Sequence, residues 1–287
     1  MIYLKSFYLP SLYEEEFNNP TPSAYPYGIF PHKELSDVHF KPITIFYGSN
    51  GSGKSTLLNL IAEKLKLPRN TLFNTNPKFK EYVKKFCDYS METNDEGLSI
   101  DIPLGSKIIT SEDIFDNILL IRDENQLIDK RKEQKEQDYY EAKYSEISFN
   151  SLNDLDRLKE QNAARRQSKT QFITDRVGEN IEQFSNGETA LAYFDRTFVP
   201  DKLYLLDEPE NSLSPKFQLQ LSELILQCTH YLGCQFIIAS HSPFILSMEE
   251  AQIYDLDTIP VKTSKWQDLE NMKIYYDLFK KNMHKFK

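Results

Sequence analysis

Gly48-Ser49-Asn50-Gly51-Ser52-Gly53-Lys54-Ser55 lies directly between the apolar run Ile43–Tyr47 and a stretch carrying Leu57, Leu58, Leu60, Ile61 and Leu65 at helical spacing, which Pro68 stops. A run of five apolar and β-branched residues reads as a strand buried on both faces, and a glycine loop between such a strand and a helix fits G-x-x-x-x-G-K-S in full. Glycines let the backbone curl, so that successive N–H groups and the helix N-terminus aim at one point, where phosphate oxygens are held. The pattern assigns Gly48, Ser49, Asn50, Gly51, Ser52 and Gly53 to the cradle. It assigns Lys54 to the outer phosphates, Ser55 to a magnesium ion and Thr56 to the innermost phosphate.

A second motif is Leu203-Tyr204-Leu205-Leu206 followed by Asp207-Glu208-Pro209. Two carboxylates closing a buried strand are tolerated only where a cation or a hydrogen-bond partner meets them. Asp207 is expected to hold magnesium through bound water, and Glu208 to orient or deprotonate an attacking water. Joined to the glycine loop, the pair predicts ATP hydrolysis, with ATP and Mg2+ as ligands.

The remaining text is organised around these two strands. Met1 to Tyr8 alternates like a strand, and Pro10, Pro20, Pro22, Pro26 and Pro31 mark a loop-rich lead-in. Lys107–Thr110, Lys202–Leu206, Cys234–Ala239 and Ile253–Leu256 read as strands. Helices are expected at Ile114–Ile121, from Ser185 to Phe194, at Pro215–Thr229 and from Trp266 to Phe286. Strand, loop and helix in repetition predict a parallel α/β sheet with functional residues at the carboxyl ends of its strands. Between Arg122 and Arg166 nearly half the residues are charged, in nearly equal numbers of each sign. The whole chain, 1–287, is therefore expected to form one ATPase domain with a charged helical insert at about 122–180.

Bulk properties narrow the class. A net charge of −9 argues against a protein that coats itself with nucleic acid by charge alone, although Lys130-Arg131-Lys132 and Arg165-Arg166 leave local basic faces. No apolar run is long enough to span a bilayer, which predicts no membrane insertion and a cytoplasmic protein. Cys87, Cys228 and Cys234 are too scattered for a disulfide framework.

Three further segments carry a family resemblance. Glu210-Asn211-Ser212-Leu213-Ser214-Pro215 follows the acidic pair, Ser240-His241-Ser242-Pro243 follows the next strand, and Phe184-Ser185-Asn186-Gly187-Glu188 precedes Asp207 by about twenty residues. Together with the two phosphate motifs they resemble an ABC-type ATPase. Within that group they resemble the bacterial single-domain AAA ATPases related to the SMC and RecF-like repair enzymes. The resemblance implies a P-loop fold with a parallel-sheet core, antiparallel N-terminal strands and an inserted helical lobe. It implies that Asn211 to Leu213 form a D-loop, that His241 is a switch histidine beside the γ-phosphate, completing Lys54 and Glu208 as catalytic groups, and that Ser185 and Gly187 serve the nucleotide of a second subunit. A head-to-tail homodimer with composite sites follows, acting on or near DNA with a separate effector protein, in repair or anti-phage defence. The alternative is the ATP-binding subunit of a transporter. The glutamine loop of that group is missing at Thr110-Ser111-Glu112-Asp113, with Glu112 or Asp113 as replacements, and Tyr25 and Tyr27 are the aromatic candidates for stacking on adenine.

Overall fold

The computed structural model describes residues 1–18, 25–71, 77–144, 155–177 and 186–286. They fall into two compact units: Met1–Phe115 with Asn186–Lys287, and Asp116–Ser185.

In the first unit, β1 (Leu4–Tyr8), α1 (Leu12–Asn18), β2 (Asp37–His39) and β3 (Ile43–Tyr47) lead into the glycine loop and α2 (Lys54–Leu65). α3 (Pro77–Phe86), β4 (Asp88–Met91), β5 (Lys107–Thr110) and the start of α4 (Ser111–Tyr144) follow. Beyond the second unit the first resumes with α7 (Asn186–Thr197), β6 (Leu203–Asp207), α8 (Pro215–Tyr231), β7 (Gln235–Ala239), α9 (Pro243–Leu246), β8 (Gln252–Asp255), β9 (Lys262–Ser264) and α10 (Glu270–Asn282).

Six strands form the main sheet in the order β5-β6-β7-β3-β8-β9. All neighbours run parallel except β9, which pairs antiparallel with β8. Every residue of β3 and β7 is buried, as is all of β6 except Asp207 at its end. Parallel strands covered on both faces must be apolar throughout, and that is why these segments were legible as strands. A smaller antiparallel sheet, β2-β1-β4, is tied to the main one by Gln235. The fully buried Gln235 amide accepts from the backbone N–H of Tyr3 (2.8 Å) and of Leu4 (2.9 Å), and donates to the carbonyl of Leu4 (2.9 Å). The expected parallel-sheet core with antiparallel N-terminal strands is therefore the fold observed.

Local chemistry explains what the sequence reading passed over. The proline-rich lead-in contains α1, opened by a capping box in which Ser11 N–H donates to Glu14 Oε2 (2.8 Å) and Glu14 N–H to Ser11 Oγ (3.4 Å). Glu15 of that helix is 2% exposed and accepts from Gly28 N–H (2.7 Å) and Tyr82 Oη (2.6 Å), pinning the loop that carries Tyr25. In place of a short helix at 114–121, α4 runs 34 residues, about 50 Å. Neither glycine nor proline interrupts it, and Thr110 and Asp113 cap its start, Thr110 N–H donating to Asp113 Oδ2 at 2.8 Å.

The second unit contains the rest of α4, with α5 (Leu155–Arg166) and α6 (Lys169–Val177). Its small core is Tyr139, Ala164, Phe172 and Ile173, with the Arg176 guanidinium 3.5 Å above the Phe172 ring. Among the described residues, no helix is long and apolar enough to cross a membrane.

Candidate active site

Because β7 lies between β3 and β6, three loops meet at the carboxyl ends of adjacent strands: the glycine loop after β3, Ser240-His241 after β7, and Asp207-Glu208 at the end of β6. Ladder bonds carry the alignment into the loops, since Glu208 N–H donates to Ala239 O (2.9 Å) and Ser240 N–H to Phe46 O (3.1 Å).

The glycine loop bends sharply into α2. Gly53 has φ +101°, a conformation side chains rarely adopt, and an added Cβ would stand 3.2 Å from Ile29. A cleft of about 480 Å3 opens there, walled by the loop from Asn50 to Gly53, the first turn of α2 from Lys54 to Thr56, Tyr25, Ile29 and Glu208. Gly48 and Ser49 are not among the residues that line it. Ser49 donates from its N–H to Asp257 Oδ2 (2.7 Å) and from its hydroxyl to Asp257 Oδ1 (2.9 Å), so the start of the loop is held by a carboxylate just beyond β8.

Lys54, 5% exposed, donates to the carbonyls of Gly48 (2.8 Å) and Ser49 (3.1 Å), with its Nζ 3.9 Å from Glu208 Oε1. The two motifs meet directly: Ser55 Oγ donates to Asp207 Oδ1 at 2.9 Å across 152 residues of sequence. Burial pushes the Asp207 carboxyl up to about 6, aided by Glu208 and Glu112 and opposed by the Ser55 hydrogen bond and Lys54. A carboxylate that burial makes this reluctant to ionise beside a hydroxyl is the donor set a hard divalent cation satisfies, so Ser55 and Asp207 fit magnesium.

Glu208 adopts φ +48°, in the left-handed region, and Asn211 Nδ2 donates to its Oε2 at 3.1 Å. His241 presents Nδ1 to two carboxylates, 3.8 Å from Glu208 Oε1 and 3.6 Å from Glu210 Oε1. Gly187 is buried in the first turn of α7, against Phe217 of α8, and is not among the residues that line this cleft. Ser185 lies outside the described residues.

Of the two aromatic candidates, Tyr25 borders the cleft, its hydroxyl donating to Thr56 Oγ1 (3.2 Å) and its ring stacked on Phe79 at 5.6 Å. Tyr27 instead packs edge-on against Tyr82 and Phe86 in the core. Asp113 is committed to the α4 cap and to Thr71 N–H (3.1 Å), whereas the exposed Glu112 acts electrostatically on Asp207. Asp257 and Glu210 were not singled out by sequence reasoning. A carboxylate just after the expected strand Ile253–Leu256 was the available signal for Asp257, and Glu210 heads the segment after Asp207-Glu208 that carries the family resemblance.

Solved structures with a similar outline include the Smc head domain of Pyrococcus furiosus with an extended coiled coil, bound to the C-terminal domain of ScpA: 14% identity, 97% of this chain and 100% of that one, TM-score 0.43. Stu0660 of Streptococcus thermophilus gives 11% identity, 96% and 79% coverage and a TM-score of 0.43. The ATP-binding cassette MJ0796, a dimer bound to ADP and Pi, gives 14%, 94% and 100%, and 0.40. Likeness at this level carries no functional weight. No curated protein matches the sequence. The profile of the family described as "AAA domain, putative AbiEii toxin, Type IV TA system" matches residues 76–247, more than half of the chain and including Asp207, Glu208 and His241. The chain thus belongs to this AAA-domain family and is an ATP-hydrolysing enzyme.

Proposed function

We propose that the chain is one ATPase domain with a charged helical insert, and that it binds and hydrolyses ATP to drive a head-to-tail dimer switch in defence against foreign DNA, acting through a separate effector. The observation that carries the reading is the meeting of two distant motifs: Ser55 bonded to Asp207, with Glu208 beside Lys54 at the mouth of one cleft.

In this reading the amides from Asn50 to Lys54 and the side chains of Lys54 and Thr56 hold the triphosphate. Lys54 exchanges its loop carbonyls for β- and γ-phosphate oxygens. Ser55 and Asp207 hold magnesium, which supplies charge neutralisation when bound. Glu208, fixed by its left-handed backbone and by Asn211, orients the attacking water and takes its proton, while His241 faces the γ-phosphate. Preorganised positive groups around the developing charge account for the rate enhancement.

A single set of motifs supports the dimer: the glycine loop and acidic pair of one copy leave the γ-phosphate to be completed by Ser185 and Gly187 of another. The family's description as a toxin of a toxin–antitoxin system supports the defence role. The insert, rich in both charges, is the arm offered to DNA or to the effector, and a cytoplasmic location follows from those partners.

Glu208→Gln tests the model. The variant is expected to lose hydrolysis and to double its molecular mass when ATP and magnesium are added. A monomer under every condition, with a wild-type enzyme that turns over as a monomer, would sink the dimer switch.

A further inference from the structure

Glu210 is 4% exposed, and its Oε1 accepts three hydrogen bonds from the loop after β7: from Ser240 Oγ (2.7 Å), His241 N–H (2.9 Å) and Ser242 N–H (3.1 Å). The same oxygen stands 3.6 Å from His241 Nδ1. Both Glu210 Oε2 and His241 Nδ1 are buried atoms with no hydrogen-bond partner. A buried carboxylate with an unused oxygen beside a buried ring nitrogen is an unfinished contact, costly to leave as it stands. Glu210 is also two residues beyond Glu208, and Asn211, the next residue, holds Glu208 Oε2. One carboxylate therefore joins the loop that carries the water-directing group to the loop that carries the histidine.

We propose that Glu210 is a positioning residue for hydrolysis. It accepts a proton-bearing His241 Nδ1, so that Nε2 is the ring nitrogen left for the γ-phosphate, and it keeps the imidazole and Glu208 in register as nucleotide enters. This rests on the role of His241 proposed above. An orienting carboxylate behind an imidazole fixes both tautomer and ring direction, the effect by which such groups alter rate more than affinity. A helix-capping task alone does not account for the arrangement, because Ser242 already caps α9 with its own hydroxyl, accepting from Phe244 N–H (3.2 Å) and Ile245 N–H (3.4 Å).

The test is a double-mutant cycle on ATP turnover with Glu210→Gln and His241→Ala. Gln keeps an acceptor for the three donors and removes the charge beside Nδ1. Glu210→Gln is expected to lower kcat about 10- to 100-fold, the range for groups that orient a reacting ligand, with KM within about threefold and an unchanged melting temperature. In the His241→Ala background it should cost nothing further. Equal losses in both backgrounds, or no loss in the first, overturn the proposal. A His241→Ala enzyme with full kcat would instead remove the role of His241, and the proposal with it. Should Glu210→Gln fold poorly, Ser240→Ala frees one side of the same carboxylate. It is expected to lower kcat about threefold and again to be silent beside His241→Ala; equal cost in both backgrounds overturns the proposal here too.

Discussion

Gly187 meets Phe217 so closely that a methyl group on the glycine would lie 2.5 Å from Cδ2 of the ring. α7 and α8 are thus in contact through a backbone on one side and an aromatic face on the other, and the segment that resembles a signature motif has a packing reason for its glycine.

Two effects compete in Gly187→Ala. A helical alanine gains up to about 1 kcal/mol over glycine, whereas overpacking costs about 1–3 kcal/mol. The clash should win, leaving the variant about 1 kcal/mol less stable by urea unfolding. In a Phe217→Ala background the sign should reverse and Gly187→Ala should stabilise. Destabilisation in both backgrounds would show that the glycine is required for something other than the ring.

Asp207 sets a pH dependence. Its folded value near 6 lies above the ordinary 3.8, so the folded protein holds this proton more tightly than the unfolded chain does. The cost of an ionised buried carboxylate is absent below about 4, grows between 4 and 6, and is complete above 6. Magnesium binding must displace the proton below pH 6, so the magnesium concentration for half-maximal ATPase activity should rise about tenfold per pH unit there and stay flat from pH 7 to 8. In Asp207→Asn that dependence should vanish along with most activity.

Tyr25 offers a ring braced by Phe79 and a hydroxyl on Thr56. If the base of ATP rests on this ring, Tyr25→Ala should raise KM about tenfold while kcat stays within about twofold. Tyr25→Phe should retain most of the affinity. A fall in kcat with KM unchanged would place the residue in the chemistry rather than in binding.

The strands that carry chemistry were legible because burial on both faces forces an unbroken apolar run, as in Ile43–Tyr47 and Gln235–Ala239. Three of the edge and satellite strands were not. Asp37–His39, Asp88–Met91 and Lys262–Ser264 are three or four residues long and rich in polar side chains, and they exist because a partner strand presents its backbone. The glycine loop and Asp207-Glu208 were readable from local order alone. Asp257 and Glu210 become meaningful only when β8 is laid beside β3 and the loop after β6 beside the one after β7. Ser11-x-x-Glu14 was a helix start in plain text, outweighed by the surrounding prolines.

The position of β3 also governs when this enzyme can come into being on the ribosome. Its glycine loop is made before its walls, since both strands that flank β3 are translated after residue 234. Until then a nascent chain owns the nucleotide motif without the walls that shape it, so an interrupted translation product ending before Gln235 should be unable to capture ATP. Competence arrives only once β7 and β8 have emerged, after the charged helices.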